Sequence, residues 1–254
     1  MRTMAGPAVP MRWHEVRGDA HPRQMAVQDR TRLTDLLVLI CKRFANMRIF
    51  CSFLSGMITC FLGMVDTMRG WDELKKACLE CEKCLLCKTR KSVVFGTGNQ
   101  RAKLMFIGEG PGEQEDLKGE PFVGPAGRLL DDMLAAIGLF RDEVYIANIV
   151  KCRPPQNRDP LALEQDMCIE WLRNQVFLIR PKMIVCLGRI AACRIIDPNF
   201  KITREHGRII ERKGYVILST YHPAALLRDP SKLEETFDDL KIIEAEYQKI
   251  LKGA

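Results

Sequence analysis

From Trp71 onward, short apolar runs alternate with longer stretches whose apolar residues recur at helical spacing. This alternation predicts strands at Lys103–Ile107, Val144–Asn148, Met183–Leu187 and Tyr215–Ser219. It predicts helices at Trp71–Glu80, Ala126–Ile137, Leu161–Ile179, Arg189–Ile196 and Ser231–Leu251. Strands that alternate with helices form a mostly parallel sheet with helices on both faces, so the pattern predicts an α/β domain.

The composition agrees with a sizeable globular domain. The chain has 254 residues, of which 47% are hydrophobic, and this is enough for one α/β domain with an extension. A net charge of +7 is compatible with nucleic-acid binding but is weak support for it alone. Eleven cysteines is a high number, and in a chain without the short, loop-rich pattern of secreted disulfide proteins, clustered cysteines more often bind metal.

The first part of the chain, residues 1–70, lacks this regular pattern. Residues 49–65 carry no charge and follow a basic stretch, which is typical of a signal-type segment or a short membrane anchor. Met57, Met64 and Met68 each offer an alternative start just upstream of the regular pattern. We interpret 1–70 as a mis-assigned start or dispensable extension, with a real anchor or an ordered extension as alternatives, and 71–254 as the functional domain.

A glycine-rich segment, GEGPGEQEDLKGEPFVGP at residues 108–125, directly follows the first predicted strand. Glycines at a strand end let the backbone approach a ligand and present its N–H groups. The segment predicts a pocket in which Glu109, Glu115, Asp116 and Phe122 reach the same spot.

Polar residues also follow the other strands. In open parallel sheets, ligands bind outside the carboxyl ends of the strands. Glu109 ends the first predicted strand, Asn148 ends the second, and His222 follows the fourth. The sequence therefore predicts that these three side chains meet at one edge of the sheet.

Six cysteines are spaced as metal ligands. Cys78, Cys81, Cys84 and Cys87 recur at every third position, and Cys152 and Cys168 follow later. A C-x-x-C pair brings two thiolates to one metal or cluster. Spacing leaves open a site built from the row alone or one split between the row and the later pair, and it does not decide between zinc and iron–sulfur. Buried free thiols are the interpretation for Cys186 and Cys193.

Six motifs in the same order give the chain a specific resemblance. C-x-x-C, R-x-x-VVFG-x-G, GEGPGEQED, PFVGPAG, NIVKCRPPQNR and HPA-x-LLR together resemble the family 4, or iron–sulfur, uracil-DNA glycosylases, over roughly Trp71–Leu251. The resemblance implies a DNA repair enzyme that flips uracil out of DNA and hydrolyses its glycosidic bond. It implies a three-layer α/β/α sandwich around a central, mostly parallel four-stranded sheet.

The resemblance also implies a 4Fe–4S cluster. Matching the family's motifs to this chain assigns its ligands to Cys81, Cys84, Cys152 and Cys168. Cys78 and Cys87 depart from the family pattern, which leaves a slipped ligand pair as an alternative.

The family match suggests roles for three pocket residues. Phe122 is expected to stack on the extracted base. The amide of Asn148 offers one acceptor and one donor, matching the N3–H and O4 edge of uracil and rejecting cytosine. His222 is expected to stabilise the charge that develops on uracil O2 as the bond breaks.

The glycine-rich loop is expected to complete the pocket. Glu115 is placed near uracil C5, where a thymine methyl would clash. Glu109 is expected to orient the attacking water. Gly110 occupies a substrate-binding position at which a related branch of the superfamily carries an aspartate, so a strong general base is not guaranteed.

The expected partner is uracil-containing DNA. Phosphate contacts are predicted for basic residues of two loops, and an apolar pair is predicted to fill the gap left by the flipped base; these residues are Lys151, Arg153, Arg158 and Arg228, and Leu226 and Leu227. We expect a cytoplasmic monomer of bacterial or archaeal type without functional membrane association. The alternatives are a uracil-binding branch that is trapped on its product DNA, and a non-catalytic iron–sulfur DNA-binding or redox-sensing protein; a Rossmann dinucleotide protein is disfavoured because no glycine motif fits.

Overall fold

A computed structural model of the protein describes residues 70–212 and 214–253. Within these ranges there are six strands: β1 Thr97–Gly98, β2 Leu104–Gly108, β3 Tyr145–Asn148, β4 Met183–Leu187, β5 Ile210–Arg212 and β6 Tyr215–Thr220. They form one sheet in the order β1-β3-β2-β4-β6-β5. The four central strands run parallel, and β1 and β5 pair antiparallel at the two edges.

The four predicted strands are confirmed as the parallel centre of the sheet. Strands β2, β3 and β4 are buried at every position, as expected for strands covered on both faces. The predicted total of four strands is wrong, because the sheet also has two edge strands. With two and three residues, β1 and β5 are too short for an alternating pattern to be recognised.

Eight α-helices lie within the described residues: α1 Trp71–Leu79, α2 Glu113–Lys118, α3 Pro125–Ala136, α4 Ala162–Ile179, α5 Arg189–Ile195, α6 Ile202–Glu205, α7 Pro223–Arg228 and α8 Leu233–Lys252. The five predicted helices correspond to α1, α3, α4, α5 and α8, with bounds within two residues. Helices α2, α6 and α7 were not predicted, because four to six residues are too few for helical periodicity.

Two apolar cores cover the two faces of the sheet. Successive strand side chains point to opposite faces, so Met105 and Ile107 pack with α1, α4 and α5, whereas Leu104 and Phe106 pack with α3, α7 and α8. The three-layer α/β/α arrangement implied by the resemblance is therefore confirmed. Cys186 lies fully buried within β4, in agreement with its interpretation as a structural thiol.

The predictions for residues 1–69, including the uncharged run 49–65, fall outside the described residues, and the proposed domain boundary stays a prediction. Among the helices of 70–212 and 214–253, none is long and apolar enough to cross a membrane.

Candidate active site

The pairing of β2 with β3 brings two candidate residues to the same edge of the sheet. Gly108 lies opposite Asn148 in the parallel register. The pairing continues past both strand ends, because the N–H of Ile149 donates to the carbonyl of Gly108 at 2.9 Å and that of Val150 donates to the carbonyl of Glu109 at 3.1 Å. The loop with Glu109 and the loop after Asn148 are thus fixed to each other by backbone hydrogen bonds.

Asn148 presents an unused acceptor inside the protein. The residue is 2% exposed, and its side-chain Oδ1 has no hydrogen-bond partner among the described residues. A Cβ atom at Gly108 would lie 2.4 Å from this oxygen, so only glycine leaves room for it. An unpaired buried acceptor costs about 1–3 kcal/mol, and such a group in a native protein calls for an explanation such as a ligand donor.

Phe122 lies over the same glycine in an unusual backbone conformation. A Cβ at Gly108 would meet its ring at 2.7 Å, and the ring stacks on the imidazole of His222 with centroids 5.5 Å apart. Its φ of 54° is in the left-handed region, which a bulky residue adopts only when its surroundings impose it. The strained loop therefore holds an aromatic ring beside Asn148 and His222.

Glu115 imposes part of this conformation. Its carboxylate accepts hydrogen bonds from the backbone N–H groups of Gly112 at 3.1 Å and of Val123 and Gly124, each at 2.9 Å. Glu115 thus joins the glycine-rich turn to the loop that carries Phe122. These contacts show that Glu115 stabilises the loop. Its place beside the substrate stays a prediction.

Arg141 holds the loop from the other side, and sequence reasoning missed it. Its guanidinium donates to the carbonyl of Pro121 at 3.2 Å and to that of Phe122, and it pairs with Asp131. A lone arginine after a helix gives no sequence signal for this role. Its role becomes visible in the structure, where it stabilises the positive φ of Phe122.

His222 is held as a neutral donor. Its Nδ1 accepts the N–H of Ala224 at 3.1 Å at the start of α7. A neutral imidazole that accepts at one nitrogen carries its proton on the other, so Nε2 is the free donor. Burial lowers the pKa of His222 to about 4, with a further lowering by Arg228 that Glu115 partly opposes.

Glu109 directly follows strand β2 and is partly buried. Burial raises its pKa to about 7, and the negative charge of Asp159 raises it further, against the opposing charges of Arg189 and Arg228. A carboxyl with this pKa changes its charge near neutral pH. Gly110 follows it, and a Cβ there would lie 2.7 Å from Cγ2 of Val150, so this glycine permits close packing of the two loops.

Asp116 does not belong to the pocket, contrary to the prediction. It is 2% exposed, and its carboxylate accepts the backbone N–H groups of Lys91 and Ser92 at 2.9 and 3.2 Å. Because Glu115 and Asp116 are neighbours on helix α2, their side chains point in different directions.

A second site lies where α1, α4 and the loop after β3 meet. Its small cavity is lined by all six candidate cysteines, namely Cys78, Cys81, Cys84, Cys87, Cys152 and Cys168, together with basic and apolar side chains. Cysteines of the row and of the later pair thus face one space, as a split site requires. Cys193 lies outside this cavity, on α5.

The donor set of this cavity consists of thiols. Cysteine thiolates are the ligands that hold iron–sulfur clusters, and some structural zinc sites also use four of them. Among the described residues, no three His, Cys, Asp or Glu side chains are grouped closely enough to hold a single metal ion.

Two cations accompany the cysteines. Arg90 donates from Nη1 to the sulfur of Cys152 at 3.3 Å and to the carbonyl of Cys81 at 2.7 Å. Lys151 is 1% exposed, and its Nζ donates to the side chain of Gln175 at 2.7 Å. The predicted phosphate contact of Lys151 is therefore wrong, because its ammonium lies in the interior beside the thiols.

The basic residues predicted to contact DNA differ in their placement. Arg228 is exposed, and its positive charge acts on both Glu109 and His222. Arg153 is partly buried and donates from Nε to Asn157 at 2.8 Å. Arg158 forms two hydrogen bonds, of 2.8 and 2.6 Å, with the carboxylate of Glu164 at the start of α4. Of the three, Arg228 has the placement that best fits a phosphate contact.

The two leucines predicted to fill the gap in DNA differ in exposure, because they lie on different sides of helix α7. Leu227 is 50% exposed, but Leu226 is 1% exposed and packs in the core that covers α3 and α8. The prediction for Leu226 is wrong, because neighbouring residues on a helix are about 100° apart and cannot face the same side. Leu227 remains the candidate.

Comparisons with known proteins agree with this geometry. The family model of the uracil DNA glycosylase superfamily matches residues 95–244. A type-4 uracil-DNA glycosylase of Archaeoglobus fulgidus is 47% identical over 184 residues, which cover 69% of this chain and 92% of the relative. One of Saccharolobus solfataricus is 46% identical, covering 67% and 82%. A type-5 uracil-DNA glycosylase of Pyrobaculum aerophilum is 29% identical, covering 65% and 88%.

Proposed function

This chain belongs to the uracil-DNA glycosylase superfamily, as a type-4 enzyme, and on that premise we propose how it acts on DNA. It flips uracil out of the strand, hydrolyses the N-glycosidic bond, and leaves an abasic site for base excision repair. The observation that carries the proposal is the buried, unpaired Oδ1 of Asn148 beside the ring of Phe122 and the imidazole of His222.

Asn148 selects uracil by its hydrogen-bonding edge. The N3–H of uracil donates to the unused Oδ1, and uracil O4 accepts from the amide nitrogen. Cytosine presents a lone pair at N3 and a donor at position 4, so both contacts become unfavourable. A mismatched buried polar pair costs about 1–3 kcal/mol, or roughly a factor of 5 to 150 in affinity.

Phe122 provides the stacking surface for the extracted base. Stacking on an aromatic side chain is worth about 1–3 kcal/mol per base, which offsets much of the cost of unstacking it from DNA. Because Glu115 and Arg141 hold the strained loop in advance, little of this energy is lost in ordering the ring. We place Glu115, which braces this loop from helix α2, next to where a thymine methyl group would enter.

His222 stabilises the leaving group. As the glycosidic bond breaks, negative charge develops on uracil O2, and the Nε2–H of a neutral imidazole donates to it. A fixed donor of this kind typically contributes 10²–10³ in rate, or about 3–4 kcal/mol. The lowered pKa keeps the ring neutral across physiological pH, so the donor needs no prior titration.

Glu109 orients the attacking water. Its ionised carboxylate accepts a hydrogen bond from water on the face of the sugar opposite to the departing base.

Arg228, and to a lesser extent Arg153, would neutralise DNA phosphates around the site, so DNA binding should weaken as the salt concentration rises. Leu227 would fill the gap that the flipped base leaves in the strand. The expected monomeric state and cytoplasmic location stay predictions.

We propose that the cysteine cavity holds a 4Fe–4S cluster, since its lining supplies the thiols that such a cluster needs. Cys81, Cys84, Cys152 and Cys168 would hold it, and when bound it supplies cross-links between the segment before β1, the loop after β3 and helix α4. The loop after β3 is also held by the protein itself, because the N–H of Lys151 donates to the sulfur of Cys168 on helix α4 at 3.2 Å. This loop directly follows Asn148, so its anchoring also fixes the pocket.

The first experiment measures uracil-dependent cleavage. A labelled single-uracil oligonucleotide is incubated with the full-length protein, and abasic sites are cleaved with alkali, with thymine and cytosine oligonucleotides as controls. We expect strand breaks at uracil only, and a rate about 10²–10³ lower for His222→Ala. DNA binding without any cleavage, in protein with full iron content, would contradict the proposal.

Glu109 predicts the pH dependence of this reaction. The ionised form is the active one, so the single-turnover rate should rise as pH increases through about 7 and then level off. Glu109→Gln should lose this rise, so its rate should fall below that of the wild type most clearly above pH 7. A rise of the same size in the variant would show that another group titrates.

Cluster ligation is tested by iron content. Alanine at Cys81, Cys84, Cys152 or Cys168 should lower iron per chain and the visible absorbance of the purified protein, because a thiolate ligand is lost. Cys193→Ala is the matched control and should retain both. If Cys81→Ala kept full iron while Cys78→Ala lost it, the ligand pair would be slipped by three residues.

A further inference from the structure

The two residues immediately before His222 are both tied to helix α8. The hydroxyl of Thr220 donates to a carboxylate oxygen of Asp239 at 2.6 Å. The hydroxyl of Tyr221 donates to a carboxylate oxygen of Glu235 at 2.8 Å. The backbone that carries the imidazole thus depends on two carboxylates on successive turns of one helix.

His206 lies between these two carboxylates. Its Nδ1 is 2.9 and 3.0 Å from the two oxygens of Asp239, and its Nε2 is 3.3 Å from Glu235. Its ring also packs on the ring of Tyr221, with centroids 4.9 Å apart at an angle of 44°. One imidazole therefore contacts both anchors and one of the residues that they hold.

The backbone next to His206 is fixed to the same strand. The N–H of Gly207 donates to the carbonyl of Ser219 in β6 at 2.8 Å. Gly207 has a φ of 68°, and a Cβ there would lie 2.4 Å from a carboxylate oxygen of Asp239, so only glycine permits this approach. The Asp239 side chain is 3% exposed, so water cannot readily replace a lost partner.

His222 itself has little room on its other side. A Cβ at Gly188 would lie 2.8 Å from Cβ of His222, so the end of β4 is in close contact with the residue. The position of the imidazole is then set by Gly188 on one side and by the anchored pair Thr220 and Tyr221 on the other. Any displacement requires the anchored side to move.

We propose that His206 is a positioning residue for His222: by bridging Asp239 and Glu235 and packing on Tyr221, it fixes the strand end that aims the Nε2–H at the leaving base. The proposal rests on the proposed role of His222 in catalysis. Misplacement of a catalytic group by about 1 Å can cost 10²-fold in rate, so a contact network remote from the substrate is sufficient to affect turnover.

The first test compares three variants by single-turnover cleavage. His206→Leu removes the contacts with both carboxylates and should lower the maximal single-turnover rate by about tenfold, while the protein concentration that gives half of that rate stays nearly unchanged. His206→Asn retains an N–H that can donate to Asp239 and should recover most of the rate. Arg204→Leu, an exposed change on the preceding helix α6, is the matched control and should behave as wild type.

A double-variant cycle separates positioning from general damage to the fold. If His206 acts through His222, then His206→Leu should change the residual rate of His222→Ala by less than about twofold. A full tenfold loss in that background would overturn the proposal. So would equal rates for His206→Asn and His206→Leu, because rescue requires the retained donor.

A spectroscopic measurement keeps the inference independent of the activity. The ring Cε1–H signal of His222 is followed by NMR in the four proteins, assigned through its loss in His222→Ala. It should shift or broaden in His206→Leu and stay unchanged in Arg204→Leu. An unchanged signal in His206→Leu overturns the positioning role, whereas absence of cleavage by the wild type contradicts the proposed function alone.

Discussion

The continued pairing between β2 and β3 is the constraint on which the rest of the site depends. Two backbone hydrogen bonds beyond the strand ends, from Ile149 to Gly108 and from Val150 to Glu109, fix the two loops at one register. That register sets Asn148 beside Gly108, and any side chain at position 108 would displace the amide of Asn148. It also leads the chain from the pocket directly to Lys151 and Cys152, so the substrate pocket and the cysteine cavity share one short segment.

The pocket combines groups that are costly to hold in the free protein. Phe122 keeps a left-handed backbone, Asn148 keeps a buried acceptor that has no partner among the described residues, and burial lowers the pKa of His222 so that it stays neutral. Each cost is opposed by a specific contact or is relieved when a base enters. Such preorganisation allows hydrogen bonds to act on the leaving group without rearrangement during the reaction.

The sequence alone predicted those features that follow from hydrophobic periodicity and motif spacing. The four parallel strands and the meeting of Glu109, Asn148 and His222 near one edge follow from buried apolar runs and from the geometry of parallel sheets. The predictions that failed concern the direction of side chains. The adjacent leucines of α7 and the adjacent acidic residues of α2 point in different directions, and the side chain of Lys151 points into the interior. His206 lacked a motif, because its partners on α8 are about thirty residues away.

The central claim is that the unused Oδ1 of Asn148 reads the N3–H of uracil. The most direct measurement compares the binding of free uracil and 3-methyluracil to the full-length protein by competition with uracil-containing DNA. We expect the methylated base to bind at least about tenfold more weakly, which corresponds to about 1.4 kcal/mol. Equal inhibition by the two bases would show that the acceptor of Asn148 does not contact N3.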